Sequence, residues 1–367
     1  MQDTTPNPFT PIFGKVPAYM AGREQLANDM QAAFNSEGND PNLVSLFVGA
    51  RGTGKTAMLS MCAEMAEAQG WVAARVTAMP GMLDEILQRL NRSASHLIER
   101  APQKKLSGIG IASLGSVEWD NADTQNLSWR SKMDDILDKL AESDAGLLVT
   151  IDEVDPDLEE MTMLVTAFQH FFDEGRRVAL LMAGLPYRLS TLLSGRSTSF
   201  LRRAARHDFG LVGDAEVDEA LRLTMRQGGK TISGDALDRA VEAISGFPYM
   251  LQLVGYRAWN MAGGRSAIEL EDVEAAVEIA QRELDERVFE ATLFDLTPAD
   301  IAFLKAMLED DGATVQSVMG RRLGKKSGHV SKYKKRLLQQ GVIQERMKGR
   351  LEFCLPGFRE YLVRELQ

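Results

Sequence analysis

The sequence predicts an α/β protein: a parallel sheet wrapped by helices, then a helical bundle, then a small helix-and-hairpin module. Three observations carry this. A short apolar run at residues 44–48 breaks into a glycine-rich loop and then a helix-forming stretch. Further apolar, β-branched runs recur at residues 71–78, 146–151 and 178–183, spaced widely enough for crossover helices. From Gly213 onward the strand pattern stops and helical periodicity takes over, until a hairpin pattern begins near Gly341.

Composition sets the frame. The chain has 367 residues, enough for two or three domains with their own cores. With 44% apolar and 26% charged residues it falls among globular proteins rather than disordered or fibrous ones. Two cysteines, Cys62 and Cys354, do not make a disulfide framework and fit a reducing cytoplasm. No run of eighteen apolar residues and no basic-then-apolar leader is present, so neither a membrane span nor a secretory signal is expected. The net charge of −10 is unevenly placed. Between Gly312 and Arg350 stand eleven Lys or Arg and one acid, Glu345, which makes that segment +10 and leaves −20 on the remainder. A basic interaction module on an acidic body is the expectation.

The N-terminal twenty residues, rich in Pro, Thr and Phe, read as an extended strap. An amphipathic helix opens at Ala21-Gly22-Arg23-Glu24 and runs to about Phe34. After a polar loop comes Gly49-Ala50-Arg51-Gly52-Thr53-Gly54-Lys55-Thr56, which fits G-x-x-x-x-G-K-[ST], and a helix from Ala57. The chemistry explains each residue type. Glycines let backbone N–H groups turn inward as an anion nest. The helix that begins there adds its positive end. Lys55 can reach the β- and γ-phosphates, and the Thr56 hydroxyl can bind Mg²⁺. The expected ligand is therefore Mg²⁺·ATP.

Residues 83–97 read as a helix, and residues 102–126 as a Gly/Ser-rich inserted hairpin or loop. A helix follows at 129–141. The strand at 146–151 ends in Asp152-Glu153. Two acids at the carboxyl end of a central strand, beside a phosphate loop, suit a metal and water site. Asp152 would hold Mg²⁺ and Glu153 would polarise the attacking water. A helix at 158–172 and a strand at 178–183, closing in Gly184-Leu185-Pro186, come next. Arg196, Arg202, Arg203 and Arg206 then cluster around Phe200-Leu201. They are either basic residues of a surface helix or a source for an arginine finger reaching a neighbouring subunit's γ-phosphate.

Helices at 215–225, 233–245, 248–262 and 269–289 fit a bundle, with Pro248 at a favoured first position. In the tail, Thr297-Pro298 starts the first of three helices, at 298–308, 314–323 and 328–340. A hairpin turning through Lys348-Gly349-Arg350 follows. Helix-turn-helix plus a β-wing is a winged helix. Lys325, Lys326, Lys332, Lys334, Lys335, Arg336, Lys348 and Arg350 are its candidate duplex-DNA contacts. A solvated basic face, or a surface that docks a protein, is the alternative.

On these residues the chain resembles the AAA+ and STAND-like P-loop ATPases, in layout the origin-recognition-type initiators. Gly49 to Thr56 is similar to Walker A, and Ile151-Asp152-Glu153 to Walker B. Ala183-Gly-Leu-Pro186 resembles the strand end that carries sensor 1, and Gly246-Phe247-Pro248 the lid motif. The resemblance implies that Gly22-Arg23 and the strap lie along the adenine, that Pro248 lies over the nucleotide, and that the winged helix binds DNA. It also implies a core at 1–208, a lid at 209–292 and a winged helix at 293–367. Two positions depart from the pattern. Ala183 or Gly184 stands where a polar residue orients water, and Tyr249 where many such proteins place an arginine. Both favour a slow, ATP-held switch. The alternatives are a STAND-like signalling ATPase that docks a protein partner, or a helper in a transposition or defence system. Homo-oligomers or a protein partner are expected in either case, with no membrane.

Overall fold

The computed structural model describes residues 6–12, 14–36, 38–100 and 122–366. After the strap, helix α1 (Glu24–Asn35) leads to strand β1 (Val44–Gly49), helix α2 (Lys55–Ala68) and strand β2 (Val72–Thr77). Helices α3 (Met82–Arg100) and α4 (Ala122–Glu142) precede β3 (Leu147–Asp152), α5 (Glu159–Asp173), β4 (Val178–Gly184), α6 (Pro186–Ser194) and β5 (Ala205–Phe209). The insert expected at 102–126 lies outside the described residues up to 121. Its last residues, 122–126, belong to α4.

The five strands are all parallel, in the order β2-β3-β4-β1-β5. Strand β1 lies between β4 and β5; its connection crosses to β2 at the far edge, whereas that of β4 crosses the other way to β5, so the crossovers diverge between β4 and β1. Ligands of open α/β sheets bind outside the carboxyl ends of the strands at such a point. Register aligns those ends: Val48 pairs with Gly184, and Ile151 with Met182. The phosphate loop, the two acids and the end of β4 therefore emerge side by side.

One sheet face packs on α1 and α2 through Phe47, Leu148 and Leu181. The other packs on α3, α4, α5 and α6 through Leu46, Val149 and Leu180. This two-sided burial explains why β3 and β4 read as unbroken apolar runs. Strand β5 escaped the sequence reading. Its residues Ala-Arg-His-Asp-Phe alternate with polar side chains because it is an edge strand, paired only with β1. Arg202 and Arg203 fall in a 3₁₀ turn (Ser199–Arg203) and Arg206 on β5, so the surface helix entertained for them is absent.

The bundle comprises α7 (Asp214–Gln227), α8 (Gly234–Ile244), α9 (Pro248–Ala262) and α10 (Leu270–Leu284), with a parallel pair of short strands, β6 (Thr231–Ile232) and β7 (Ala267–Ile268). Helix α10 runs on through a π-helical segment (Asp285–Glu290) into α11 (Ala291–Phe294). Next come α12 (Pro298–Met307), β8 (Thr314–Val315), α13 (Gln316–Leu323) and α14 (Ser327–Gln339). Strands β9 (Ile343–Met347) and β10 (Arg350–Phe353) and helix α15 (Phe358–Leu366) finish the chain. Thr297 caps α12 in a capping box with Asp300. Strands β8, β10 and β9 form an antiparallel sheet, in which the two-residue β8 is too short to show a period in sequence. The bundle and this C-terminal segment share one continuous core, which includes Leu221, Leu253, Phe289, Phe303 and Phe358. Phe9 of the strap is buried in the same core, its ring against Gly255, where a Cβ would come within 2.3 Å.

Candidate functional site

The loop between β1 and α2 has the backbone its glycines permit. Gly52 and Gly54 adopt φ of 77° and 92°, which L side chains rarely tolerate. A Cβ on Gly49 would lie 2.3 Å from the Phe209 carbonyl oxygen and 2.9 Å from Thr53 Oγ1. The loop is closed internally: Thr53 Oγ1 donates to the Ala50 carbonyl at 2.8 Å and Lys55 Nζ donates to the same oxygen at 2.6 Å. Lys55 is only 6% exposed. Burial pushes its ammonium pKa down, and the nearby Glu153 and Asp152 carboxylates oppose that shift.

The acids of β3 meet this loop. Thr56 Oγ1 donates to Asp152 Oδ2 at 2.6 Å, across 96 residues of sequence. The other oxygen, Asp152 Oδ1, accepts from the Glu153 amide at 2.9 Å. Glu153 has φ of 53°, left-handed backbone in a residue that is not glycine. Such a conformation costs free energy and clusters at functional sites. It is held because the next amide, Val154, donates to the Ala183 carbonyl at 3.0 Å. A hydroxyl and a carboxylate in contact are hard oxygen donors that suit Mg²⁺, which binds through one or two protein groups and substrate phosphates. Among the described residues no cluster of three or more His, Cys, Asp or Glu side chains is arranged for a metal.

The lid sits directly on the loop. A Cβ on Gly52 would come within 2.7 Å of the Phe247 ring and 3.2 Å of Tyr249 Cβ, and the Tyr249 amide donates to the Gly52 carbonyl at 3.2 Å. Gly246 has φ of 71°, with the Val212 amide donating to its carbonyl at 2.9 Å. Arg23 stacks 4.5 Å over the Phe209 ring and donates to the Gly210 carbonyl at 3.2 Å. Gly22 (φ 62°) leaves only 3.3 Å to Val212 for a Cβ. Both residues thus brace the crossing from core to lid.

Between core and lid lies a cleft of about 750 Å³, within the range of small-molecule and cofactor sites. Arg51, Gly52, Thr53, Gly54, Lys55 and Thr56 form its floor. Ala57, Glu153, Arg23 and Pro248 also line it, whereas Gly22, Gly49, Ala50 and Asp152 lie behind its wall. Further lining comes from the strap and from two cations that the sequence pattern does not single out. The strap contributes Thr10, Ile12 and Tyr19, and is stapled to α9 by Asn7 Nδ2 donating to the Tyr256 carbonyl at 3.0 Å and by the Thr10 amide donating to Gln252 Oε1 at 2.9 Å. Arg188 of α6 and Arg287 of the π segment bring two further cations.

The remaining candidates lie elsewhere. Arg202 Nε donates to the Leu193 carbonyl at 2.9 Å and Arg206 pairs with Asp208 at 3.1 Å; neither they nor Arg203 line this chain's cleft. The eight basic residues of the tail split into two sets. Lys325, Lys326, Lys332, Lys335, Lys348 and Arg350 are exposed. Lys334 and Arg336, expected as DNA contacts, are engaged within the fold. Lys334 pairs with Glu345 at 2.6 Å and with Gln316 at 2.7 Å, and Arg336 pairs with the fully buried Asp300 at 2.5 Å. Helix α14 lies against the core: Arg188 bridges Asp155 at 3.2 Å and the Gln339 carbonyl at 3.4 Å, and Gly341 abuts Leu185.

No curated protein sequence matches the chain. A family model described as a domain of unknown function (DUF8462) matches residues 286–362, the stretch from the π segment to α15. Among solved structures, the chain is similar to the Walker-type ATPase of Pyrococcus abyssi, with 13% identity, a TM-score of 0.63, and 96% of this chain and 100% of that chain covered. It is also similar to the ORC2 protein of Aeropyrum pernix in its ADP form, with 14% identity, a TM-score of 0.55, and coverage of 97% and 95%. Cdc6p of Pyrobaculum aerophilum aligns with 16% identity, a TM-score of 0.50 and 97% of each chain covered. The likeness spans nearly the whole chain, so the fold is similar to that of these structures, an α/β core followed by a helical bundle and a C-terminal module. Among the described residues, no helix is long and apolar enough to cross a membrane.

Proposed function

We propose that this protein is an ATP-binding switch of slow turnover, with a core at 1–208, a lid at 209–292 and a winged helix at 293–367 that carries its output to duplex DNA. The observation that carries the reading is the meeting of the two motifs: Thr56 Oγ1 on Asp152 Oδ2 at 2.6 Å, beside the buried Lys55. Lys55 and the loop amides hold the β- and γ-phosphates. Thr56 and Asp152 hold Mg²⁺, which supplies charge neutralisation on the phosphates when bound. Glu153 accepts a proton from the water that attacks in line with the leaving group. Arg23, Pro248 and the strap bound the base end of the cleft.

The latch reading rests on the loop–lid contact. Phe247 and Tyr249 press on Gly52, so nucleotide seated on this loop bears on the lid. Ala183 and Gly184 offer no side chain to orient water, and Tyr249 offers no cation. Both favour holding ATP over rapid cleavage. The test is Glu153→Gln. It should retain Mg·ATP affinity and lose hydrolysis by about 10²-fold or more; unchanged turnover would remove Glu153 from the mechanism.

A second reading has its own support. Arg188 on Gln339 and Leu185 on Gly341 tie the C-terminal module to the core. Under that reading the module serves as a docking element for a protein partner or a second copy, and duplex DNA does not bind.

A further inference from the structure

We propose that Arg287 is this chain's own γ-phosphate sensor, and that the π segment carrying it transmits nucleotide state to the C-terminal module. The inference rests on the ATP reading of the cleft and assigns a cation that the lid position at Tyr249 lacks. Its basis is the placement of one six-residue element, Asp285–Glu290. One side of it faces the cleft, where Arg287 and Val288 line the same cavity as Lys55, Thr56 and Glu153. The other side faces α15. Asp285 pairs with Arg364 at 2.6 Å, and the Phe289 ring lies 5.3 Å from Phe358 and 5.2 Å from Tyr361. A π-helical turn inside a helix shifts the facing of the side chains that follow it and recurs at functional sites.

The electrostatics make Arg287 a releasable cation. It pairs with Glu283 at 2.9 Å, with 55% of its own side chain exposed and 11% of the carboxylate side chain exposed. Glu283 has a second partner, Arg257 of α9. A buried carboxylate stripped of its only cation is costly. Here Arg287 can swing to a phosphate while Arg257 keeps Glu283 paired, so the transfer leaves no uncompensated charge. Of the other guanidiniums that line the cleft, Arg188 is held by Asp155 at 3.2 Å and the Gln339 carbonyl, Arg23 donates to the Gly210 carbonyl, and Arg51 belongs to the glycine loop itself. ADP, lacking the γ-phosphate, leaves Arg287 on Glu283; ATP draws it across the cleft and pulls the segment packed on α15 with it.

The test measures equilibrium binding of ADP and of a non-hydrolysable ATP analogue, with Mg²⁺, to the full chain and to Arg287→Ala and Arg287→Lys. The expected result is ATP-analogue affinity lowered about ten- to hundredfold in Arg287→Ala, the worth of one charge-assisted contact, with ADP affinity unchanged and partial rescue in Arg287→Lys. Amide exchange in α15 should respond to the ATP analogue in the parent and not in Arg287→Ala. An unchanged ATP-to-ADP ratio in Arg287→Ala would overturn the role of Arg287. Equal loss of both nucleotides in both variants would overturn it too, since it would mean a structural role. A parent that binds neither nucleotide would instead overturn the ATP reading itself.

Discussion

The sharpest prediction concerns Arg336, which the sequence offered as a DNA contact and the fold uses internally. Asp300 has no exposure, and its carboxylate accepts from Arg336 Nε at 2.9 Å, from Thr297 Oγ1 at 2.7 Å and from the Thr297 amide at 3.1 Å. Arg336→Met keeps much of the aliphatic stem and removes the guanidinium. Breaking a buried pair by deleting one partner costs about 3–5 kcal/mol. Two features reduce that here: the Arg336 side chain is 31% exposed, and Thr297 still donates two hydrogen bonds. A loss of about 2–3 kcal/mol is expected, since solvent screens the exposed portion. The assay is urea unfolding of the full chain followed by far-UV circular dichroism. The lid and the C-terminal module share one core, so the loss should fall on their common transition. Adding Asp300→Asn should return part of it, as a contacting pair does in a double-mutant cycle. A variant within about 0.5 kcal/mol of the parent that nevertheless loses duplex binding would refute the reasoning and restore Arg336 to a nucleic-acid surface.

Two further outcomes follow from the same module. Lys325 and Lys326 are exposed just before α14, and replacing both with Ala should reduce the salt slope of duplex binding by about two, near 0.9 for each phosphate contact; equal slopes would remove them from the interface and favour the protein-docking reading. Asp310 is held by Arg322 through hydrogen bonds at 2.6 and 2.8 Å, which depress its carboxyl pKa to about 2. A depressed carboxylate stabilises the fold above its unfolded value, near pH 4, and that contribution is lost as pH falls through about 2. The stability difference between parent and Asp310→Asn should therefore be full at pH 5 and shrink below pH 4; a pH-independent difference would contradict the pairing.

Local signals were readable because they are short-range. The loop from Gly49 to Thr56 needs glycines at fixed offsets, and β3 and β4 needed unbroken apolar runs because helices cover both sheet faces. What escaped the sequence is what long-range packing decides. Strand β5 reads as polar because one of its faces is open. The strap's hold on α9 joins residues some 240 positions apart, with Thr10 finding Gln252. Lys334 and Arg336 look like any basic helix face until Glu345 and Asp300 are brought to them. The left-handed backbone of Glu153 has no residue-type signature, since glycine or asparagine would be the usual occupant. Arg287 sits 232 positions from Lys55, and only the return of α10 across the lid sets both in one cleft.

Equilibrium binding of Mg·ATP to the full chain and to Lys55→Ala tests the central claim most directly. The ammonium lies in the loop with Glu153 and Thr56 on the same cleft wall, so the parent should bind saturably and the variant should weaken about tenfold or more, with its fold intact by circular dichroism. A parent that binds no nucleotide, or a variant that binds as tightly as the parent, would contradict the account.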